Sequence, residues 1–152
     1  MSGNVNKQIE AWNLQWINVE RLYTQFALKY GLSNFSLSVL RLIYESQLKL
    51  TQKEICSLLS LPKQTISSMI NNLSHKGYVD KEICSLDHRN VYITLTMSGQ
   101  QFCHELFSQL NEIEMKAFSQ LTSKQREEFT KTNAMLSEFI KEGMEEFYGN
   151  KS

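Results

Sequence analysis

The spacing of apolar residues predicts a mainly helical chain with one small β-structured segment. In residues 5–31 and again in residues 97–148, apolar side chains recur every three or four positions, which is the spacing of one helix face. Between these arms, the run Val91–Leu95 alternates apolar and polar residues, which is the period of a half-buried strand. The pattern therefore predicts long helices towards both ends and a mixed segment between them.

Residues 50–96 predict, in order, a helix, a tight turn, a helix, a strand, a charged loop and a strand. Thr51 and Glu54 have the spacing of a capping box at the start of the first helix. Pro62 suits the first position of the second helix, and Gly77 suits a left-handed C-cap after it. This order is that of a winged helix-turn-helix, a module that places its second helix in the major groove of DNA.

Apolar spacing and capping residues also predict how the shorter helices begin and pack. Ile55, Leu58 and Leu59 are expected to face inward on the first helix of the motif. Ahead of the motif, Ser36 is expected to cap another helix. On the second helix of the motif, the expected buried residues are Ile66, Ile70 and Leu73.

The outward side of the second helix has no acidic residue between Lys63 and Lys76. Asn and Gln can pair with base edges, Ser and Thr can bond to bases or phosphates, and Lys can neutralise phosphates. A helix that served only as scaffold would more usually carry Glu and Lys pairs outside, although a merely solvated polar face remains the alternative. The residues predicted to contact DNA here are Lys63, Gln64, Thr65, Ser67, Ser68, Asn71, Asn72 and Lys76.

The loop between the two strands adds Asp87 and Arg89 to the predicted DNA contacts. A carboxylate two residues away can hold the guanidinium in one orientation, directed at a phosphate or a narrow minor groove. The alternative is a surface ion pair worth less than about 1 kcal/mol.

Together these residues resemble the multiple-antibiotic-resistance regulator (MarR) family. The resemblance covers a Leu, a Lys-Gly turn, an Asp-x-Arg wing and a Leu-Thr-x-x-Gly helix start, in order and without gaps. The residues that carry it are Leu73-Ser-His-Lys-Gly77-Tyr-Val79, Asp87-His-Arg89, and Val91-Tyr-Ile-Thr-Leu95-Thr96 followed by Ser98-Gly99. The resemblance implies a homodimeric transcription factor, often a repressor released by a small ligand or an oxidant.

The sequence departs from the family pattern at three places. The wing has Ile83-Cys84-Ser85-Leu86 where prolines and acidic residues are common. Ser68 stands where an Arg is frequent, and Pro62 where a capping Ser is frequent. Despite these differences the chain is still expected to bind DNA, but its affinity and base preference are expected to differ from those common in the family.

The formal net charge of zero is unevenly distributed. Residues 1–50 contain five basic and three acidic side chains, and residues 51–96 contain five and four. Residues 97–152 contain six basic and nine acidic side chains, so the acidity is concentrated in the last part of the chain. This division suits a molecule with one face on DNA and the other end in solvent.

Residues 1–152 are expected to form one domain, with a DNA-binding lobe at about 33–96 and dimerisation helices at about 5–31 and 97–148. A small DNA-binding lobe cannot cover the apolar faces of such long helices, whereas a two-fold dimer can. The alternative is a core formed within one chain. The predicted dimer-interface residues are Ile9, Trp12, Phe139, Ile140, Met144 and Phe147.

A small-molecule site is the more strongly indicated means of control. The family resemblance implies a ligand between the DNA-binding lobe and the dimer helices, and aromatic walls there suit an apolar or phenolic effector. An equally good explanation is that these aromatic residues belong to the core and the dimer interface. The predicted pocket residues are Trp12, Trp16, Tyr23, Tyr44, Phe102 and Leu106.

Other function classes find less support in the sequence. There is no Gly-rich phosphate loop, no His-Glu-x-x-His and no Gly-x-Ser-x-Gly, so we predict no enzyme, no cofactor and no metal site. Cys84, in the exposed wing, leaves a redox-responsive regulator as one alternative, and a protein-interaction module that does not bind DNA is another. The sequence has no apolar run long enough to cross a membrane and no recognisable signal peptide, so a cytoplasmic protein without membrane contact is expected.

Overall fold

Helices form where the apolar spacing predicts them. The computed structural model describes residues 2–46, 48–83 and 91–149. In chain order, the elements are α1 (Ser2–Lys29), α2 (Asn34–Glu45), β1 (Leu50–Thr51), α3 (Gln52–Leu59), α4 (Lys63–His75), β2 (Val79–Ile83), β3 (Val91–Leu95), α5 (Met97–Ser119) and α6 (Ser123–Gly149). The mainly helical class with a small β-wing is confirmed.

The three strands form an antiparallel sheet in the order β1-β3-β2. Val79 pairs with Leu95 at one end of β2 and Ile83 pairs with Val91 at the other, which confirms both predicted strands. Strand β1 was not predicted, because two residues are too few to show an alternating pattern. Leu50 of this strand pairs with Ile93 of β3.

The chain divides into two compact units, Met1–Phe107 and Ser108–Ser152. The core of the first unit lies between α2, α3, α4, the sheet and the start of α5. Its largest fully buried side chains are Leu40, Ile55, Ile66, Ile70, Leu73, Ile93 and Leu106. The predicted inward side of α4 is therefore confirmed.

In the second unit, a capped turn joins the end of α5 to α6. The Gln125 backbone N–H donates to the Thr122 hydroxyl at 3.2 Å, and the Thr122 N–H donates to the Gln125 side chain at 2.9 Å. The Arg126 guanidinium donates to the carbonyl of Leu121 in the same turn. No side chain of α6 is buried. None of the described helices is both long and apolar enough to cross a membrane.

Three local predictions were wrong. Helix α2 is capped by Ser33, whose hydroxyl accepts from the Ser36 N–H at 3.0 Å, while Ser36 lies inside the helix and is buried. Leu58 is 60% exposed, because the eight-residue helix α3 turns only Ile55 fully into the core. Pro62 is the N-cap of α4 rather than its first helical residue.

The predicted capping box of α3 is present. The Glu54 N–H donates to the Thr51 hydroxyl at 3.3 Å, and the Thr51 N–H donates to the Glu54 carboxylate at 2.6 Å. The hydrogen bond from the Thr51 backbone, together with that from its hydroxyl, lowers the pKa of Glu54 below its ordinary value of 4.5. The stabilisation from the ionised carboxylate is therefore present above pH 4.5 and is lost as the pH falls through the lowered pKa.

Replacing Thr51 by Ala is expected to lower the free energy of unfolding by about 1 kcal/mol at neutral pH, because the N-cap acceptor is lost. Replacing Glu54 by Gln is expected to destabilise the protein at neutral pH, with a difference from the unaltered protein that vanishes in acid. Urea unfolding over a pH series measures both. Thr24→Ala is the matched control, since the Thr24 hydroxyl donates to the Glu20 carbonyl inside α1 and caps no helix. Equal losses for Thr51→Ala and Thr24→Ala would contradict the capping account.

Candidate nucleic-acid interface

The outward face of α4 is a continuous polar stripe. Gln64, Ser68, Asn71 and His75 follow one another at helical spacing, are all exposed, and lie opposite the buried side of the helix. Together with their neighbours they form an open, shallow surface along the helix. The residues that line it are Lys63, Gln64, Ser67, Ser68, Asn71, Asn72 and His75.

Among the described residues, this surface includes one residue that the predicted DNA contacts omitted, His75, and excludes two that they included, Thr65 and Lys76. His75 shares the stripe, as its spacing of four from Asn71 and seven from Ser68 could have indicated. Thr65 is half-buried, and neither Thr65 nor the exposed Lys76 lines this surface. Contact with DNA stays a prediction for every residue of α4.

Most polar side chains of this face are free to meet a ligand. Within the described part of the chain, the side chains of Gln64, Ser68 and Asn72 form no hydrogen bond. Asn71 differs, because its Oδ1 accepts from Lys81 Nζ of β2 at 3.1 Å. Since α4 carries no acidic side chain, donors and hydroxyls dominate the face, which fits the acceptor-rich phosphates and base edges of DNA.

Lys76 has a partner within the chain. Its ammonium donates to the Gly31 carbonyl at 2.6 Å, so it links the end of α4 to the turn that follows α1. Gly31 adopts a φ of 66°, in the left-handed region, which allows the chain to leave α1 and present that carbonyl. The predicted phosphate contact of Lys76 would have to compete with this bond.

A compact junction joins α4, β2 and the start of α5. The Thr96 hydroxyl donates to the Gly77 carbonyl at 2.6 Å and accepts from the Gly99 N–H at 2.9 Å. The Thr96 N–H donates to the Tyr78 carbonyl at 3.1 Å. Gly77 adopts a φ of 76°, as predicted for a left-handed residue after the helix. The Lys-Gly and Leu-Thr-x-x-Gly parts of the sequence motif therefore meet at one hydrogen-bonded corner.

The wing residues lie outside the described residues. Strand β2 ends at Ile83 and β3 begins at Val91, and the predicted contacts Asp87 and Arg89 belong to the segment between them, as does Cys84. Their roles stay predictions.

The six predicted effector-pocket residues lie in different surroundings. Trp12 and Trp16 are neighbours on α1, with ring centroids 6.1 Å apart. Phe102 stacks on Tyr78 at 4.0 Å, and Leu106 is fully buried in the core. Tyr23 is half-buried on α1.

Tyr44 lines an open cleft in the first unit. Its ring stacks on Phe107 at 5.4 Å, and its hydroxyl lies 3.2 Å from His104 Nδ1. The cleft has a volume of about 710 Å³, and the Lys49–Glu82 ion pair, with 2.6 Å between its charged atoms, forms part of its wall. Of the six predicted pocket residues, Tyr44 is the one that this cleft contains.

The predicted dimer-interface residues are largely exposed in the single chain. The exposed fraction is 49% for Ile9 and between 36% and 61% for the four residues on α6. Trp12 is half-buried. The four residues of α6 are Phe139, Ile140, Met144 and Phe147.

The described cysteines and acidic groups indicate no reactive or metal centre. Burial raises the pKa of the Cys103 thiol to about 11, so the thiol stays protonated near neutral pH. Cys56 is half-buried. Among residues 2–46, 48–83 and 91–149, no three His, Cys, Asp or Glu side chains lie together as metal ligands would.

Comparisons with known proteins agree with this geometry. The model of the MarR family matches residues 30–90. YwhA of Bacillus subtilis (strain 168), described as an uncharacterized HTH-type transcriptional regulator, is 25% identical over 100 residues, which are 66% of this chain and 71% of that protein.

Two solved structures share the fold. The MepR–DNA complex of Staphylococcus aureus has a TM-score of 0.72 at 24% identity, over 86% of this chain and 96% of MepR. NMB1585, a MarR family regulator from Neisseria meningitidis, has a TM-score of 0.76 at 22% identity, over 91% of this chain and 97% of that protein. Taken with the match of the MarR family model over residues 30–90, these likenesses show that the chain has the winged helix-turn-helix fold of MarR-family transcriptional regulators and is similar to that family in its winged segment.

Proposed function

We propose that this protein is a homodimeric, sequence-specific repressor that binds a pseudo-palindromic operator and is released by a small-molecule effector. The observation that carries the DNA-binding part is the exposed, acid-free face of α4. In a helix-turn-helix this is the helix that enters the major groove. The solved complex of MepR with DNA, which has the same fold, supports this use of the face.

The roles of individual residues follow from their chemistry. Gln64, Ser68, Asn71 and Asn72 are the proposed base readers, because their side chains can donate to or accept from base edges. Lys63 is a proposed phosphate contact at the start of α4, and Arg89 of the wing is a second. Lys76 is the least supported of the proposed DNA contacts, since its ammonium already donates to the Gly31 carbonyl.

The proposed homodimer is supported by the apolar surface of α6. Phe129, Leu136, Ile140, Met144 and Phe147 recur every three, four or seven residues and are between 36% and 57% exposed. An exposed apolar stripe of this length is typical of a surface that binds another protein, because binding removes the stripe from water. A two-fold dimer would also present two α4 helices to two half-sites about one helical turn apart.

The proposed effector is a small aromatic or apolar molecule. Trp16 is 61% exposed beside Trp12, which leaves an aromatic surface on α1 for such a ligand. Both tryptophans of the chain lie in this pair, so intrinsic fluorescence would report binding there directly. Release from DNA requires that the ligand binds one arrangement of the two α4 helices better than the other.

Fluorescence anisotropy tests the proposed function. The probe is the duplex upstream of this protein's own gene, beside a scrambled duplex, at two salt concentrations. Tight, salt-sensitive binding to the first duplex alone supports a sequence-specific regulator. If both duplexes bind weakly and equally, a selection from randomised double-stranded DNA decides between an operator elsewhere and a module that does not bind DNA.

Gln64→Ala and Lys63→Ala are expected to weaken DNA binding in different ways. Loss of a base reader should cost about 1–3 kcal/mol on the preferred sequence and relax the preference at one position. Loss of a phosphate contact should weaken all sequences alike and make the salt dependence less steep. Anisotropy on matched and singly substituted duplexes separates the two effects. Identical behaviour of both variants would contradict the assigned roles.

A further inference from the structure

Among the described residues outside α4, Lys81 of β2 contacts the outward polar stripe of that helix. Its Nζ lies 3.1 Å from Oδ1 of Asn71, and both side chains are exposed. Lys81 stands in the middle of β2, where it pairs with Ile93, so the sheet fixes its backbone next to α4. The other stripe residues, Gln64, Ser68 and His75, have no such partner within the described part of the chain.

The chemistry of the pair settles which way the Asn71 amide points. A lysine ammonium has three donors and no acceptor, so the amide atom that faces it must be the oxygen. The amide NH₂ is then the group left for a ligand. Asn71 therefore presents donors outward, and the ammonium of Lys81 presents further donors beside it.

This arrangement disfavours one base and favours another. Bidentate pairing of Asn with adenine needs the amide oxygen as an acceptor for the adenine N6 amino group. Lys81 already takes one of the two lone pairs of that oxygen, and its positive charge disfavours a second donor beside it, so adenine would have to displace the ammonium or bond next to it. Guanine presents two acceptors, N7 and O6, at its major-groove edge and needs only donors from the protein.

We propose that Lys81 is a positioning residue that turns Asn71 into a donor-only reader, so that this pair selects guanine over adenine in each half-site. The proposal rests on the proposed DNA-binding function and adds to it a base preference and a residue from the sheet. From the sequence, Asn71 alone would be expected to pair with adenine, and Lys81 would count only as one more positive charge.

The test is a selection from a randomised double-stranded DNA library, carried out with the full-length protein and three variants. Asn71→Ala identifies the half-site position that Asn71 reads, because preference is lost there and kept elsewhere. We expect guanine at that position for the unaltered protein. Lys81→Met frees the amide oxygen and is expected to shift the guanine-to-adenine binding ratio about tenfold towards adenine. Lys81→Arg, which also offers only donors, is expected to retain guanine.

Two results would overturn the proposal, and they can be told apart. If Lys81→Met selects the same sequence as the unaltered protein but binds every sequence more weakly with a less steep salt dependence, Lys81 is a phosphate contact. If the unaltered protein enriches no sequence, the proposed DNA-binding function itself fails and this inference falls with it. Thermal unfolding of each variant confirms that the exposed substitutions leave the fold intact.

Discussion

Replacing Ile140 and Met144 by Glu is expected to disrupt the proposed dimer and to weaken DNA binding by about 10²–10⁴-fold, because two linked α4 helices would no longer bind two half-sites together. The two side chains lie four residues apart on the apolar stripe of α6 and are 36% and 55% exposed in the single chain. Carboxylates there would have to be desolvated without partners in an apolar interface.

The opposite face of α6 supplies the control. Lys131→Glu changes the charge of the chain by two, as the double substitution does. Its side chain lies about 180° around the helix axis from that of Ile140. This control is expected to remain a dimer with little change in DNA affinity. Sedimentation velocity measures the oligomeric state, and anisotropy measures the affinity. A double variant that stays dimeric would place the interface elsewhere, and an unaltered protein that is monomeric would contradict the proposed dimer.

The sequence was sufficient where local chemistry determines the structure. The capping box of Thr51 and Glu54 formed as predicted, because both partners lie within one turn. Strands β2 and β3 have the predicted ends, since turn residues and a charged loop bound them. The outward face of α4 followed from helical periodicity, since its opposite side is fully buried.

Contacts between distant residues could not be read from the pattern. Lys76 and Gly31 are 45 residues apart, and nothing in either local sequence indicates that the ammonium reaches that carbonyl. The contact of Lys81 with Asn71 depends on how β2 packs beside α4. The cap of α2 was misassigned for another reason, because Ser33 and Ser36 are both good caps and only the helix start distinguishes them.

Replacing Gly99 by Ala is expected to lower the free energy of unfolding by about 3 kcal/mol, at the upper end of what one added methyl group costs in a packed region. A Cβ at this position would lie 1.8 Å from the Tyr78 carbonyl oxygen. That oxygen also accepts from the Thr96 N–H at 3.1 Å, so the backbone cannot retreat without breaking this hydrogen bond. The need for Gly here is thus a close approach between α5 and the residue before β2, rather than an unusual φ.

Gly3→Ala is the matched control for this substitution, because a Cβ at Gly3 would meet nothing within 4 Å. The same methyl group inside α1 is expected to leave stability unchanged or to raise it by less than about 1 kcal/mol, since Ala favours helix over Gly. Urea unfolding of the two variants measures the difference. If Gly99→Ala is as stable as Gly3→Ala, the corner formed by Gly77, Tyr78, Thr96 and Gly99 must be open enough to accept a side chain. The Gly of the Leu-Thr-x-x-Gly motif would then lose its steric explanation.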